Sequence, residues 1–356
     1  MKIIELRSDT CSEPTKEMRE FMANAPVGND SWGEDPTVNL LGEKMCELTR
    51  KEACLFCCSG TMANLVSTMA HKAMYGGFGF EVILDKHSHS NWYEVGNLTT
   101  VAGVSINPIT GGEGYLDQET LEAAVKPQSG HMTTSRLLWV ENTYMLGCGQ
   151  PVPLSEMERL NTFCKNNNMK LHLDGARLLN ASVALGVEPY EITKYADSVQ
   201  MCLSKGIGAP FGSVLLGDKE FIDIARKCKQ AIGGGLRQAG IMAAAGVFGL
   251  ENYKENFAYN HKCAKDLANG LYEIFPECVN PEETQTNMVL FDTEPLGMTT
   301  HEFGAMLKEH GINALLGVPS SHGLRVRMMT YPGITEDDVA LILERVKKIA
   351  IELGEI

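Results

Sequence analysis

Short apolar runs alternate with amphipathic stretches along most of this chain of 356 residues. The apolar runs predict strands that end in polar residues, and the amphipathic stretches predict helices between several of them. Predicted strands cover residues 52–58, 81–85, 136–144, 169–177, 197–205 and 212–218, and predicted helices cover residues 61–74, 155–168 (with Ser155 as the cap) and 219–232. This alternation is typical of an α/β fold with a mostly parallel central sheet covered by helices.

The pattern changes after about residue 245. A long helical stretch (243–275), a strand (287–293), a helix (300–311), a strand (324–330) and a helix (335–354) follow in order. We expect these elements to form a smaller C-terminal α/β domain. The predicted division is a large domain at 1–248 and a small domain at 249–356.

Composition excludes several classes of function. The chain has 31 Lys and Arg against 45 Asp and Glu, a formal net charge of −14, and it lacks the basic patch that a nucleic-acid surface requires. No apolar run is long enough to predict a membrane span, and the first residues lack the apolar core of a signal peptide. We therefore expect a soluble cytoplasmic protein that binds neither nucleic acid nor a membrane.

The 11 cysteines are scattered along the chain. Cys54 and Cys57 form a C-x-x-C in the segment CLFCC, which ends at Cys58. No second Cys or His pair with matching spacing follows nearby, as a metal site would require. We interpret these thiols as reduced, buried small side chains and expect no metal. A redox or metal-binding protein that uses this segment is the alternative outside the enzyme classes.

Polar side chains cluster where the predicted strands end, which is where ligands bind in open parallel sheets. They are His89, Glu94, Asn142, Asp174, Arg177 and Lys205. Lys205 follows an apolar run and precedes a segment rich in Gly, Ala and Pro. A lysine rarely enters such surroundings without a partner or a function.

Three of these features together indicate a cofactor. Ser59, Gly60 and Thr61 form a turn from a strand into a helix, where free N–H groups and hydroxyls suit a phosphate. Asp174 suits a protonated ring nitrogen, and Lys205, 31 residues later, suits a Schiff base. An ordinary helix cap and a structural Asp174–Arg177 ion pair are the alternatives at this point. A nucleotide is not expected, because the chain has no G-x-G-x-x-G after a strand and no P-loop.

A set of motifs in this order resembles a known family. They are LRSDT, VGNDSWGEDPTVN, CSGTMAN, SHSNWYEVG, ENT, HLDGAR, CLSKG, GGGLRQAG and VRMMT. The resemblance is to the L-threonine aldolase family (threonine aldolase/β-eliminating lyases) among the fold-type I pyridoxal 5'-phosphate (PLP) enzymes, and it covers nearly the whole chain. It implies a PLP-dependent transferase-like fold.

The resemblance also implies which residues bind the cofactor. Lys205 would form the Schiff base, and Asp174 would pair with the pyridine nitrogen. Gly60 and Thr61 would hold the phosphate. His89 would stack on the cofactor ring, although its neighbour His87 competes for this assignment.

Further positions would bind the substrate or join subunits. Ser8 and Arg327 would bind the amino-acid carboxylate, and Arg177 would contact either the cofactor O3′ or that carboxylate. Arg325, on the same strand face, competes with Arg327. Arg237 would reach the cofactor phosphate from a neighbouring subunit, since the family forms dimers or dimers of dimers with shared active sites.

The implied reaction is aldol cleavage of a β-hydroxy-α-amino acid, of the L-threonine or L-allo-threonine type, to glycine and an aldehyde. His89 would take the proton of the β-hydroxyl, directly or through water. Glu94 would either assist near the site or be a solvated charge.

The chain departs from the family at four positions. Trp32, Tyr144, Met145 and Tyr331 replace the usual Tyr, His, Asn and His. These positions lie near the cofactor, the partner subunit or the substrate side chain in the family. They leave β-elimination or racemisation of another amino acid as an alternative reaction.

Overall fold

The computed structural model describes residues 2–111, 116–145, 147–320 and 323–356. The strands are β1 (Ile4–Glu5), β2 (Ala53–Cys57), β3 (Phe80–Asp85), β4 (Ser105–Ile109), β5 (Thr134–Glu141), β6 (Lys170–Asp174), β7 (Ser198–Cys202), β8 (Ser213–Gly217), β9 (Met288–Phe291), β10 (Ile312–Asn313), β11 (Leu315–Ser320) and β12 (Gly323–Met329). The helices are α1 (Lys16–Ala23), α2 (Pro36–Thr49), α3 (Gly60–Tyr75), α4 (His89–Trp92), α5 (Asn97–Thr100), α6 (Gln118–Ala124), α7 (Leu154–Asn166), α8 (Leu178–Leu185), α9 (Pro189–Thr193), α10 (Lys219–Ala231), α11 (Gly240–Gly249), α12 (Tyr253–Ile274), α13 (Thr300–Glu309) and α14 (Glu336–Leu353).

Seven strands form the central sheet in the order β2-β8-β7-β6-β5-β3-β4. The neighbours from β4 to β7 are parallel, whereas β8 is antiparallel to both β7 and β2. Strand β8 reverses because residues 203–212 join it to β7 without a crossover helix. The prediction of an α/β fold with a mostly parallel central sheet is confirmed.

Helices α2, α7, α8 and α11 bury apolar side chains against one face of this sheet. Leu41 and Met45 of α2 lie in the same core cluster as Leu173 of β6 and Leu203 after β7. On the other side, Ala63 and Val66 of α3 pack with residues of β2, β8 and α10. The carboxyl ends of β3, β5, β6 and β7 therefore open at one edge, between the two helical layers.

The C-terminal residues form a second core around the antiparallel sheet β11-β12-β9. Phe291 and Phe303 stack in it with ring centroids 4.5 Å apart. Strand β1 pairs in parallel with β10, and Leu6 is fully buried in the same cluster. The division at residue 248 stays a prediction, and the first residues of the chain pack with the C-terminal core.

Several details differ from the sequence prediction. Helix α7 begins at Leu154 after Pro153, which makes no side-chain cap, so the expected cap at Ser155 is wrong. The expected helix over 243–275 is two helices, because α11 ends at Gly249 and α12 begins at Tyr253. No helix in the described part of the chain is long and apolar enough to cross a membrane.

Candidate active site

A pocket with an empty volume of about 400 Å³ lies at the carboxyl ends of β5, β6 and β7, beside the first turn of α3. The residues that line it are Gly60, Thr61, Asn64, His89, Glu94, Glu141, Thr143, Met145, Asp174, Ala176, Arg177, Gln200, Cys202 and Lys205. The fold therefore brings together the predicted lysine, aspartate, histidine and helix start. Of the paired alternatives, His89 lines the pocket, whereas His87 lies beside Asp85 and Trp92.

Lys205 lies in the loop after β7, and two hydrogen bonds hold its backbone carbonyl in place. Its carbonyl oxygen accepts hydrogen bonds from Ser12 Oγ at 3.2 Å and from the N–H of Gly208 at 2.8 Å. Gly208 has φ +81°, a left-handed conformation that favours glycine. The Lys205 ammonium makes no hydrogen bond or ion pair within the described residues, so it is free to react in the pocket.

Asp174 ends strand β6 and is 4% exposed. Asn64 Nδ2 donates to its Oδ2 at 2.9 Å, and the N–H of Ala176 donates to its Oδ1 at 3.1 Å. The Gln200 amide, turned so that both of its ends are satisfied, donates to Oδ1 at 2.8 Å. Three donors thus compensate the burial of one carboxylate and fix its orientation.

His89 begins the short helix α4 and makes a pair with Glu94. Its Nδ1 lies 3.0 Å from Glu94 Oε1, and Glu94 is buried. Burial lowers the pKa of His89, but the hydrogen bond with Glu94 and the charge of Asp174 outweigh it, so the pKa is raised overall. Glu94 is therefore part of the site and not a solvated charge.

Glu141 ends strand β5 and accepts a hydrogen bond from the backbone N–H of His89. Burial and the negative charge of Asp174 raise the pKa of Glu141 to about 7. The ENT motif thus places in the lining of the pocket a carboxyl group whose pKa is raised by its surroundings.

The first turn of α3 faces the opposite side of the pocket. Ser59 caps the helix by accepting a hydrogen bond from the N–H of Met62 at 3.1 Å, so its hydroxyl has a structural use. A Cβ on Gly60 would lie 2.8 Å from Cys202 Sγ. Gly60 therefore allows this turn to pack closely against Cys202, and the free N–H groups of a first helical turn suit an anion.

Arg177 lines the pocket but already has a partner. Its Nε and Nη2 both donate to Asp9 at 2.8 Å, and the two groups are buried. Burial would raise the pKa of Asp9, yet the attraction of Arg177 lowers it to about 2. Asp9 comes from the LRSDT motif, and Ser8 beside it accepts a hydrogen bond from the N–H of Thr10 at 3.2 Å.

Two arginines on β12 have different environments. Arg325 forms an ion pair with Glu283 at 2.8 Å through Nη1, and its buried Nε has no partner among the described residues. Arg327 donates from Nη2 to the Arg7 carbonyl at 2.9 Å, and its buried Nε has no partner among the described residues. Burial and the charge of Arg177 lower the pKa of Arg327 to about 10. Arg327 thus retains an unused donor near Asp9 and Arg177.

The remaining predicted residues lie elsewhere. Arg237 is exposed and donates to Ser31 Oγ at 2.5 Å, and it does not line the pocket. Tyr144 donates to Asp85 Oδ1 at 3.0 Å, and Tyr331 donates to the Glu5 carbonyl at 2.7 Å inside the C-terminal core. Trp32 is 75% exposed. Of the four departures from the family pattern, Met145 alone lines the pocket.

The CLFCC segment shows no metal geometry. Within the described residues no group of three or more His, Cys, Asp or Glu side chains could hold a metal ion, and all 11 cysteines are free. Burial raises the pKa of the Cys57 thiol to about 12, as expected for an unreactive core thiol.

Among the residues that the sequence analysis did not predict, Asp9, Asn64, Glu141 and Gln200 form hydrogen bonds with predicted site residues. Asp9, Asn64 and Glu141 lie inside motifs that were noted for other residues. A signal existed for Gln200, because it is a polar side chain within a mostly apolar predicted strand, whereas Asn64 is one of several polar residues of its helix.

Comparison with known proteins gives consistent matches. The model of the family described as beta-eliminating lyase matches residues 5–294. Low-specificity L-threonine aldolase 1 of Arabidopsis thaliana is 39% identical over 359 residues, which cover 100% of this chain and 98% of the relative. The low specificity L-threonine aldolase of Escherichia coli K12 is 38% identical over 288 residues, covering 81% of this chain and 84% of the relative.

A solved structure agrees at the level of the fold. The Leishmania major threonine aldolase aligns with a TM-score of 0.82 at 20% identity, covering 97% of this chain and 99% of that chain. The fold-type I assignment and the resemblance stated from the motifs are both confirmed. The chain belongs to the beta-eliminating lyase family, and it is a PLP-dependent lyase of the threonine aldolase type.

Proposed function

We propose that this enzyme cleaves β-hydroxy-α-amino acids of the L-threonine or L-allo-threonine type to glycine and an aldehyde, with PLP as its cofactor. The observation that carries the proposal is one pocket that holds a free lysine, a buried carboxylate and a histidine–carboxylate pair. The identity to relatives named low-specificity L-threonine aldolases supports it.

The residues present fit PLP. Lys205 offers an unpaired amine for the covalent bond, and Asp174 offers a carboxylate for the ring nitrogen. The start of α3, where Gly60 admits no Cβ without displacing Cys202, suits the phosphate, with Thr61 beside it. When bound, PLP supplies an electron sink for the electrons of the broken Cα–Cβ bond.

The substrate carboxylate is assigned to Arg327. Its unpaired buried Nε needs an acceptor, and a planar guanidinium binds a carboxylate bidentately. We propose that Ser8 also binds the substrate carboxylate. The Nε and Nη2 of Arg177 are already bound to Asp9, so we propose that Arg177 holds Asp9 in place and contacts the cofactor.

His89 is assigned as the group that takes the proton of the β-hydroxyl. Glu94 occupies its Nδ1, which leaves Nε2 for the substrate. The Glu94 carboxylate stabilises the imidazolium that forms when His89 accepts the proton.

The assembly is proposed to be a homodimer or homotetramer in the cytoplasm, with a small amino acid as the binding partner. Arg237 supports a shared active site, because it is exposed and lies outside the pocket of its own chain. In such an assembly it would reach the cofactor phosphate of the neighbouring subunit.

The test is product analysis with the purified, PLP-loaded enzyme. L-Threonine and L-allo-threonine should each be tried, and glycine and acetaldehyde should appear in equal amounts. Lys205→Ala should reduce turnover by at least about 10³-fold and remove the absorbance of the lysine-bound cofactor. Release of a keto acid in place of glycine would contradict aldol cleavage and support β-elimination.

A further inference from the structure

Below the candidate pocket, helix α3 turns a polar face toward the central sheet. Asn64, Ser67 and His71 follow the spacing of one helical face, and each is at most 1% exposed. Opposite them lie His172 of β6 and Ser198 of β7, which are register partners and are also buried. These residues are not among those predicted for the cofactor or the substrate.

The hydrogen bonds of this cluster connect His71 and His172 through the hydroxyls of Ser198 and Ser67. His71 Nε2 lies 2.7 Å from Ser198 Oγ, which lies 2.7 Å from His172 Nδ1. Burial lowers the pKa of His71 to about 3 and that of His172 well below its usual value, so both rings are neutral. Each ring then has one N–H. Because His71 Nδ1 has no partner among the described residues, we place the proton of that ring on Nε2, where it donates to Ser198. The Ser198 hydroxyl then donates to Nδ1 of His172, and we assign Nε2 of His172 as the donor.

The donor of His172 faces the side-chain oxygen of Asn64. His172 Nε2 and Asn64 Oδ1 are 3.4 Å apart. This contact holds the oxygen of the Asn64 amide on the His172 side, so the NH₂ group faces the pocket. A reversed amide would place its oxygen against two carboxylates.

The NH₂ group of Asn64 donates to two carboxylates of the site. It donates to Asp174 Oδ2 at 2.9 Å and to Glu94 Oε1 at 2.9 Å. The same Glu94 oxygen contacts His89 Nδ1 at 3.0 Å. One amide therefore holds both the carboxylate assigned to the cofactor ring and the carboxylate behind the histidine.

We propose that Asn64 is a positioning residue that fixes Asp174 and Glu94 relative to each other, and that His172 fixes the orientation of the Asn64 amide. This inference rests on the proposed PLP site. Asn64 and His172 act through Asp174 and Glu94 and need not touch the substrate. Without the amide, two buried carboxylates lose a shared donor and move apart, since both are negative and need other partners.

The first experiment replaces Asn64 with an apolar residue of similar size. Asn64→Leu should weaken PLP binding by about tenfold, measured by titrating the apoenzyme and following cofactor absorbance. The pH midpoint of the absorbance change should also shift by about half a unit. The matched control is Asn97→Leu, because Asn97 donates to the other Glu94 oxygen at 3.4 Å and its own Oδ1 has no partner in the described residues.

The control should keep PLP affinity within about twofold of the parent enzyme. Equal affinities for Asn64→Leu, Asn97→Leu and the parent enzyme would overturn the proposal. Neither measurement uses an amino-acid substrate, so an enzyme that fails to cleave threonine still reports on Asn64.

The second experiment tests His172 through a conservative pair. His172→Gln keeps an N–H near the position of Nε2, whereas His172→Leu removes it. We expect PLP affinity and the absorbance midpoint to be retained in His172→Gln and changed in His172→Leu, as in Asn64→Leu. The same loss in both variants, with folded apoproteins by circular dichroism, would contradict an orienting role for His172.

Discussion

Arg325 and Arg327 lie two positions apart on β12, and their partners separate two roles that the sequence left open. The buried Nε of each has no partner among the described residues, but Arg325 forms an ion pair with Glu283, whereas Arg327 has no acidic partner there and lies near Arg177 and Asp9. A buried guanidinium without an acidic partner is costly unless a ligand supplies one. At the residue scale, the lack of an acidic partner among the described residues and the position near Arg177 favour Arg327 as the residue that binds the substrate carboxylate.

Replacing each arginine by glutamine should separate the two. We expect Arg327→Gln to raise KM for the amino acid by about tenfold or more, because a charged bidentate contact is lost. Arg325→Gln should leave KM within about threefold, because its ion pair lies with Glu283. Steady-state kinetics with L-threonine checks both, and equal KM values would refute the assignment of Arg327.

Single residues were predicted unevenly from the sequence. Lys205, Asp174 and His89 were found because each is an unusual polar group at a strand end, and all three line one pocket. Asp9 and Asn64 were missed, since their partners lie 168 and 110 positions away. A local sequence pattern shows which element carries a side chain, but it does not show which distant residue that side chain contacts.

At the scale of elements, the pattern located most strands but only half of the helices, and it did not give the ends or directions of the elements. The alternation of apolar and polar residues identified β6 and β7, yet nothing in it showed that β8 runs antiparallel. Strand direction depends on the connection, which is here a loop without a helix. Strand β4 was missed because Pro108 and polar residues interrupt its apolar pattern.

A partly buried histidine between helices α8 and α12 should make stability depend on pH. His261 of α12 lies 3.1 Å from Asn180 of α8, and burial lowers the pKa of His261 to about 4 from its usual 6.5. Below pH 6.5, His261 binds a proton in the unfolded chain, whereas in the folded chain it stays neutral until the pH approaches 4. Stability is therefore lost as the pH falls from 6.5 toward 4, by about 1.4 kcal/mol per unit.

The variant His261→Gln should lose this part of the dependence. Between pH 6.5 and pH 5, the unfolding free energy should fall by about 2 kcal/mol less in His261→Gln than in the parent protein, measured by urea unfolding. His301, which is exposed, provides the control substitution His301→Gln. Parallel pH profiles for the parent and His261→Gln would contradict the prediction.

At the scale of the whole molecule, the N-terminal segment connects the two cores. The N–H of Leu6 donates to the Asn313 carbonyl, and the N–H of Met329 donates to the Leu6 carbonyl, each at 2.8 Å. Three residues later, Asp9 binds Arg177 beside the central sheet. The sequence predicted two α/β units, but hydrophobic periodicity cannot show that the first strand packs with the last third of the chain.

This arrangement predicts that Leu6 supports the C-terminal core. Leu6→Ala should lower the unfolding free energy by about 2–5 kcal/mol, because the side chain is fully buried. Ile3→Ala, at a position that is 67% exposed, should change it by less than about 0.5 kcal/mol. Chemical denaturation measures both, and a similar small effect for the two would show that the segment is not part of the core.

The pairing of β1 with β10 also has a consequence for protein synthesis. Glu5 meets Asn313, which the ribosome adds 308 residues later. The segment with Ser8 and Asp9 therefore cannot pack with strand β10 until most of the chain has been synthesised. During translation the central sheet can form first, and the corner that holds Arg177 and Arg327 becomes complete last.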